Sequence, residues 1–171
     1  MTRLICHRVE RAIAPVPGAD RVTLDYEGRF LRRKSLTTAR GATLLVDLAE
    51  TLSLNEGDAF VSVDGARILV EAAAEPLVEV RAVPGGLARL AWHIGNRHTP
   101  AQIAADHLLI RRDHVLEAML TRLGAELTPT LAPFTPEGGA YGSGRTHGHH
   151  HGGATDDPRG TGHGPRTHSH A

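Results

Sequence analysis

From Gly138 to Ala171 this chain lacks the side chains that a core needs. Gly, His, Ser, Thr and Pro predominate there and apolar residues almost vanish, so nothing offsets the entropy of ordering the backbone. The segment is expected to stay disordered. The chain's 171 residues are enough for one ordinary domain or two small ones with modest cores, and folding rests on those before Gly138. Seven of the 12 histidines (His147, His149, His150, His151, His163, His168 and His170) lie in the terminal segment, among ten of the 19 glycines. Their interleaving with Gly, Thr and Ser is unlike the unbroken run of a cloning tag.

Composition narrows the function classes. Nineteen basic side chains balance 19 acidic ones, which leaves no electrostatic footprint for nucleic acid or an anionic membrane. Cys6 is the only cysteine, so there is no intramolecular disulfide and no thiolate zinc cage. It reads as a small buried hydrophobe in the first strand. The N-terminus has no apolar signal-peptide core, and no apolar run is long enough to span a bilayer. A soluble, cytoplasmic protein is expected.

The first half has strand periodicity. Leu4–Val9 reads as a strand. Val22, Leu24 and Tyr26 alternate with polar residues, Glu27-Gly28 makes a turn, and Arg29–Arg33 returns. Phe60–Val63 and Ala66–Val70 flank Asp64-Gly65, which suits a two-residue hairpin turn. Asn55–Asp58 is a further turn. A small β barrel or sandwich ending near Ala72 is expected, with scaffold or protein docking as its default role. Ala72–Pro76 reads as a linker.

The second half mixes periods. Leu77–Val83 is a strand. Leu87, Leu90, Ala91 and Ile94 then fall at i, i+3, i+4 and i+7, the apolar stripe of a short helix. Gln102–His107 and Leu108–Arg112 read as strands. Asp113 is an N-cap candidate for a second helix with the stripe Leu116, Met119, Leu120 and Leu123, ended by Gly124. Leu127–Phe134 closes the unit. Strand-helix-strand-strand-helix-strand is the ferredoxin-like order. The expected fold is thus α+β, with a β-rich domain at 1–74, a ferredoxin-like domain at 75–137 and a disordered Gly/His-rich tail at 138–171.

Between these elements lies Trp92-His93-Ile94-Gly95-Asn96-Arg97-His98. Gly95 is expected just past the helix end in the left-handed region. Asn96 and Arg97 then carry the reversal, and Thr99-Pro100 stops the helix from resuming. His98 is thereby aimed by a rigid backbone. One imidazole is too few for a tight metal site, but a two-fold dimer with His98 at its axis supplies two. His114, first in the second helix and on its exposed side, is a further candidate ligand. His7 and His93 read as structural, while His107 stays open.

Neutral imidazole ligates Ni, Cu and Zn, and a His-rich flexible tract is a compositional metal-binding signal. Such a tail offers several exchangeable, weakly selective sites, which suits handling a metal. Two rivals stand beside a metal carrier. One is a storage or buffering protein for nickel or zinc, for which the tail alone suffices. The other is a metal-dependent hydrolase using His93, His98, His107 or His114 with Asp106 or Asp113. An enzyme of that kind needs three fixed ligands and a base, and the chain has no HExxH motif.

Four features resemble the urease accessory protein E family, the nickel metallochaperones of urease maturation. They are His93–His98; Asp113-His114-Val115-Leu116-Glu117; Ala132-Pro133-Phe134-Thr135-Pro136-Glu137-Gly138-Gly139-Ala140-Tyr141-Gly142; and the His-rich tail. The resemblance implies a cytoplasmic homodimer without enzymatic turnover. It implies Ni(II) as cargo, held across the dimer interface by the histidine ending Gly95-Asn96-Arg97-His98; Zn(II) or Cu(II) are competitors because imidazole accepts them too. It also implies a peptide-binding N-terminal domain that docks on the urease apoprotein complex, and an accessory GTPase as nickel-exchange partner. Some relatives carry His-x-His where this chain has Arg112-Asp113-His114, so only the second histidine of that pair is present.

Overall fold

A computed structural model describes residues 2–14 and 16–138. The elements are β1 (Arg3–Glu10), β2 (Asp20–Leu24), β3 (Phe30–Thr37), β4 (Thr43–Ser53), β5 (Ala59–Ser62), β6 (Arg67–Ala72), β7 (Ala74–Arg81), α1 (Leu87–Gly95), β8 (Ala101–Ile103), β9 (Leu108–Arg111), α2 (His114–Arg122) and β10 (Glu126–Pro133). They form two sheets, ordered β2-β6-β5-β1-β4-β3 and β10-β7-β9-β8.

The first sheet gathers Cys6, Val22, Leu36, Leu44, Val46, Phe60, Ile68 and Val70 into one apolar cluster. Both described helices belong to the second half of the chain, so this cluster needs another cover. The sheet supplies it by curling. The loop after β3 reaches the opposite edge, where the Ala39 N–H donates to the Arg21 carbonyl at 2.8 Å. Closing a sheet on itself lets its single apolar face bury itself.

Two local expectations change here. β2 and β3 do not pair with each other but lie at opposite edges, β2 parallel to β6 and β3 antiparallel to β4. The turn between them is real, with the Gly28 N–H on Asp25 Oδ1 at 2.6 Å. Alternation marks which face of a strand is apolar; it does not name the neighbouring strand. The β5–β6 turn is also longer than two residues. Gly65 carries φ +85° while Asp64 keeps a negative φ, and the Gly65 N–H donates to the Ser62 carbonyl at 2.9 Å. A two-residue type I′ turn needs positive φ at both central positions, so this is a three-residue loop.

Asp58 pins two loops from a buried position, 2 % exposed. Its carboxylate accepts from the Arg11 guanidinium at 2.7 Å, the Ala12 N–H at 3.0 Å and the Asn55 N–H at 2.9 Å. Ala12 is held at φ +44° by this arrangement. Asp58→Ala would leave two backbone donors and part of a guanidinium without an acceptor. A loss of about 3 kcal/mol is expected, read as a lower urea midpoint at unchanged slope.

In the second sheet, Val78, Val80, Leu108 and Ile110 face Leu90 and Ile94 of α1 and Leu116 and Leu120 of α2. Both helices thus cover one face, and the strand–helix–strand–strand–helix–strand order expected from the sequence is present. The expected linker is almost wholly strand: β6 runs to Ala72, β7 starts at Ala74, and Pro76 pairs with Leu131 of β10. Pairing of β7 with β9 begins only at Leu77. With one neighbour at that point, the strand tolerates a residue without an N–H.

The other face of this sheet meets the β2–β3 turn of the first unit. Leu77 and Leu109 pack with Tyr26 and Phe134, whose rings sit edge to face with centroids 5.4 Å apart. Arg29, buried, donates to the Phe134 carbonyl, and Arg111 pairs with Glu27 at 2.8 Å. Beyond Phe134 the chain crosses to β8. The Thr135 N–H donates to Gln102 Oε1 at 2.8 Å and the Glu137 N–H to the Ala101 carbonyl at 2.9 Å. Among the described residues, no helix is long and apolar enough to cross a membrane.

Candidate metal centre

The end of α1 differs from expectation in one respect. Gly95 is the last residue of the helix rather than the first beyond it, and its φ is not positive. The left-handed residue is His98 itself, at φ +55°. The His98 N–H donates to the Gly95 carbonyl at 2.9 Å and the Thr99 N–H reaches back to the Ile94 carbonyl at 3.5 Å. These are the two bonds of a Schellman cap with His98 in the position that usually carries glycine. Helix α2 ends in the same pattern with glycine in that place. There Gly124 has φ +86°, its N–H bonds to Thr121, and the Ala125 N–H reaches Leu120.

A β-carbon in the left-handed region costs roughly 1 kcal/mol or more. The chain bears that cost at His98, and the side chain is exposed. Among the described residues its ring has no hydrogen-bond partner. The backbone beneath it is fixed, because Ile94, whose carbonyl accepts from both Arg97 and Thr99, is itself fully buried. His98 is therefore an imidazole on a rigid mount, open at both ring nitrogens.

The residue before it is held as well. Arg97 Nε donates to Met119 Sδ of α2 at 3.0 Å, a link that helical periodicity does not reveal. Among the described residues Arg97 has no carboxylate partner, whereas Arg112 is bound to Glu117 at 2.9 Å and Arg81 to Asp106 at 2.6 Å.

The other histidines divide clearly. His114 is the exposed first residue of α2. Asp113 caps that helix as expected, accepting from the Val115 and Leu116 N–H groups at 2.9 and 2.8 Å. Glu117 reaches back to the Asp113 N–H at 3.1 Å while gripping Arg112, so Arg112 is a structural partner of α2. His93 lies half-buried and edge-on to Trp92, with ring centroids 4.9 Å apart. His7 Nδ1 lies 2.9 Å from the Asp47 carbonyl. His107, in the β8–β9 turn, holds Asp106 at 2.8 Å through Nδ1. Arg81 first and His107 second keep the Asp106 carboxyl down at about 2. Burial pushes the Cys6 thiol up, in keeping with a core residue. His147, His149, His150, His151, His163, His168 and His170 lie outside the described residues.

Among the described residues, no three His, Cys, Asp or Glu side chains gather into a metal-holding group. The described residues thus offer an exposed single imidazole at His98 and another at His114, each short of a full coordination shell.

Comparison with known proteins gives the family. The model of the UreE urease accessory protein N-terminal domain matches residues 2–73, and that of its C-terminal domain matches 75–171. The urease accessory protein UreE of Paracoccus denitrificans is 62 % identical over 78 % of this chain and 84 % of its own length. That of Rhodobacter capsulatus is 55 % identical over 86 % of this chain and 95 % of its own length, and that of Cereibacter sphaeroides 62 % over 80 % and 73 %. With both halves matched in order, the chain belongs to the UreE urease accessory protein family.

Proposed function

We propose that this protein is a nickel carrier of urease maturation: a cytoplasmic homodimer that binds Ni(II) through His98 of both copies and hands it on without turnover. The observation that carries this reading is His98 itself, an exposed imidazole without a hydrogen-bond partner among the described residues, held at φ +55° where the sister helix has glycine. Membership of a urease accessory family supplies the biological setting.

A single imidazole per subunit argues for a shared site, since an isologous contact doubles whatever lies on its axis. The second unit, residues 75–137 and ferredoxin-like in its order, is the dimerisation and metal-binding domain. Exposed Trp92 and Val115 on its helices are apolar surface available to that contact. His114 acts as an auxiliary single ligand from the start of α2, because Arg112, bound to Glu117, cannot complete a pair with it. The tail histidines collect further ions. Their segment follows from Glu137, which is hydrogen-bonded to Ala101, three residues after His98, so the collector starts beside the receiving site. Zn(II) and Cu(II) compete, since imidazole accepts all three. Residues 1–74 dock the urease apoprotein complex, and the accessory GTPase exchanges nickel with the carrier. A hydrolase finds less support: Asp113 is engaged as a helix cap and Asp106 by Arg81.

The test is nickel calorimetry on the full chain, a 1–143 truncation, and His98→Ala in each. The truncation should keep one tight ion per dimer, and His98→Ala should remove it. Binding confined to the full chain would favour a buffering tail instead. The truncation should also leave thermal unfolding of the apo-protein within about 2 °C of the full chain, because the sequence beyond Gly138 has almost no apolar side chains to add to a core. A drop of ten degrees would mean that the tail packs.

A further inference from the structure

We infer that Arg97 is the release determinant of the His98 site, a fixed positive charge that keeps a bound divalent cation exchangeable. The inference rests on the metal reading of His98 and adds a residue to it. Arg97 and His98 are adjacent, with Cα atoms about 3.8 Å apart. The guanidinium is tethered through Nε to Met119 Sδ at 3.0 Å, and a thioether carries no charge to neutralise it. Among the described residues no carboxylate pairs with it. Arg81, Arg111 and Arg112 have one, in Asp106, Glu27 and Glu117, while Arg89 of α1 and Arg122 of α2 have none among the described residues either. Arg97 differs from those two in its tether and in its place beside His98. The site that would hold a dication therefore sits beside a cation that the fold anchors and leaves uncompensated.

The physical consequence has a definite sign. A unit charge roughly 10 Å from a dication in water repels it by an amount equal to about a fourfold change in affinity. In a dimer sharing one ion between two His98 side chains, the factor applies twice. Repulsion weakens the bound state, so it raises the off-rate and favours transfer to an acceptor with a stronger ligand set. A storage site would have the opposite design, with carboxylates beside its imidazoles. Because the pair is solvent-exposed, the effect shrinks as salt is added.

The test compares the full-length protein with Arg97→Gln, Arg97→Lys, His98→Ala and the Arg97→Gln/His98→Ala double variant. The readout is Ni(II) titration and chelator-driven nickel release, followed through Trp92. This is the chain's one tryptophan, six residues before His98, and a bound paramagnetic ion quenches it. At low salt Arg97→Gln should bind nickel about fourfold to fifteenfold tighter and release it more slowly. Arg97→Lys, which keeps the charge, should stay within twofold of the parent. The gain should vanish in the double variant and diminish at 0.5 M salt. A damaged fold cannot produce tighter binding, so the expected result has no trivial source. Equal or weaker binding by Arg97→Gln overturns the inference while leaving the His98 site standing. Quenching with the same midpoint in His98→Ala as in the parent overturns the metal reading beneath it as well.

Discussion

Replacing His98 with Gly should stabilise the apo-protein by about 1 kcal/mol and abolish its tight nickel binding. The two effects have one cause. A side chain at φ +55° meets the backbone crowding that glycine escapes, a difference of roughly 1 kcal/mol even after the greater entropy of an unfolded glycine is counted. The protein contains its own reference state, since α2 closes on Gly124 with the same pair of backward hydrogen bonds. His98→Ala separates the two effects. It removes the ligand and keeps the β-carbon, so nickel binding should fall while stability stays within about 0.5 kcal/mol of the parent. Urea denaturation of the three apo-proteins, paired with nickel titration of each, reads both quantities. If the glycine variant is no more stable than the alanine one, His98 is unstrained, and its left-handed position says nothing about a metal site.

His98 also marks how far the sequence could be read. That it ends a rigid helix was legible from the stripe Leu87, Leu90, Ala91 and Ile94 and from Thr99-Pro100 beyond it. That it is the left-handed residue was not, because Gly95 offered the cheaper place to turn. The helix runs through that glycine and bears the strain three residues later. Periodicity likewise gave the second unit's order of elements and the cap at Asp113. It failed where structure depends on pairing across distance. Strands β2 and β3 look like a hairpin in sequence and lie at opposite edges of the sheet. Between Thr37 and Asn55 no strand is expected from the sequence, yet β4 fills 11 residues there and bridges β1 and β3. The links Arg97 to Met119 and Arg29 to Phe134 span 22 and 105 residues, and no local signal announces them.

Ile94→Asp should abolish folding of the second unit at neutral pH. Ile94 is fully buried in the cluster that the two helices form over one face of the sheet, with Val78, Val80, Leu108, Ile110, Leu90, Leu116 and Leu120. A carboxylate there has no partner within the cluster, and burying one unpaired costs several kcal/mol, a large share of the 5–15 kcal/mol that holds a typical domain together. Ile94→Val is the companion variant. It loses one methylene, costs about 1 kcal/mol, and keeps the backbone carbonyl that accepts from Arg97 and Thr99 to close the cap under His98. The valine variant should therefore bind nickel like the parent. The aspartate variant should lose near-ultraviolet dichroism from Trp92, dimerisation and His98-dependent binding together, because one buried side chain supports both the core and the mount. A soluble, dimeric Ile94→Asp protein that still binds nickel would show that the stripe does not face the core and that the His98 mount rests on something else.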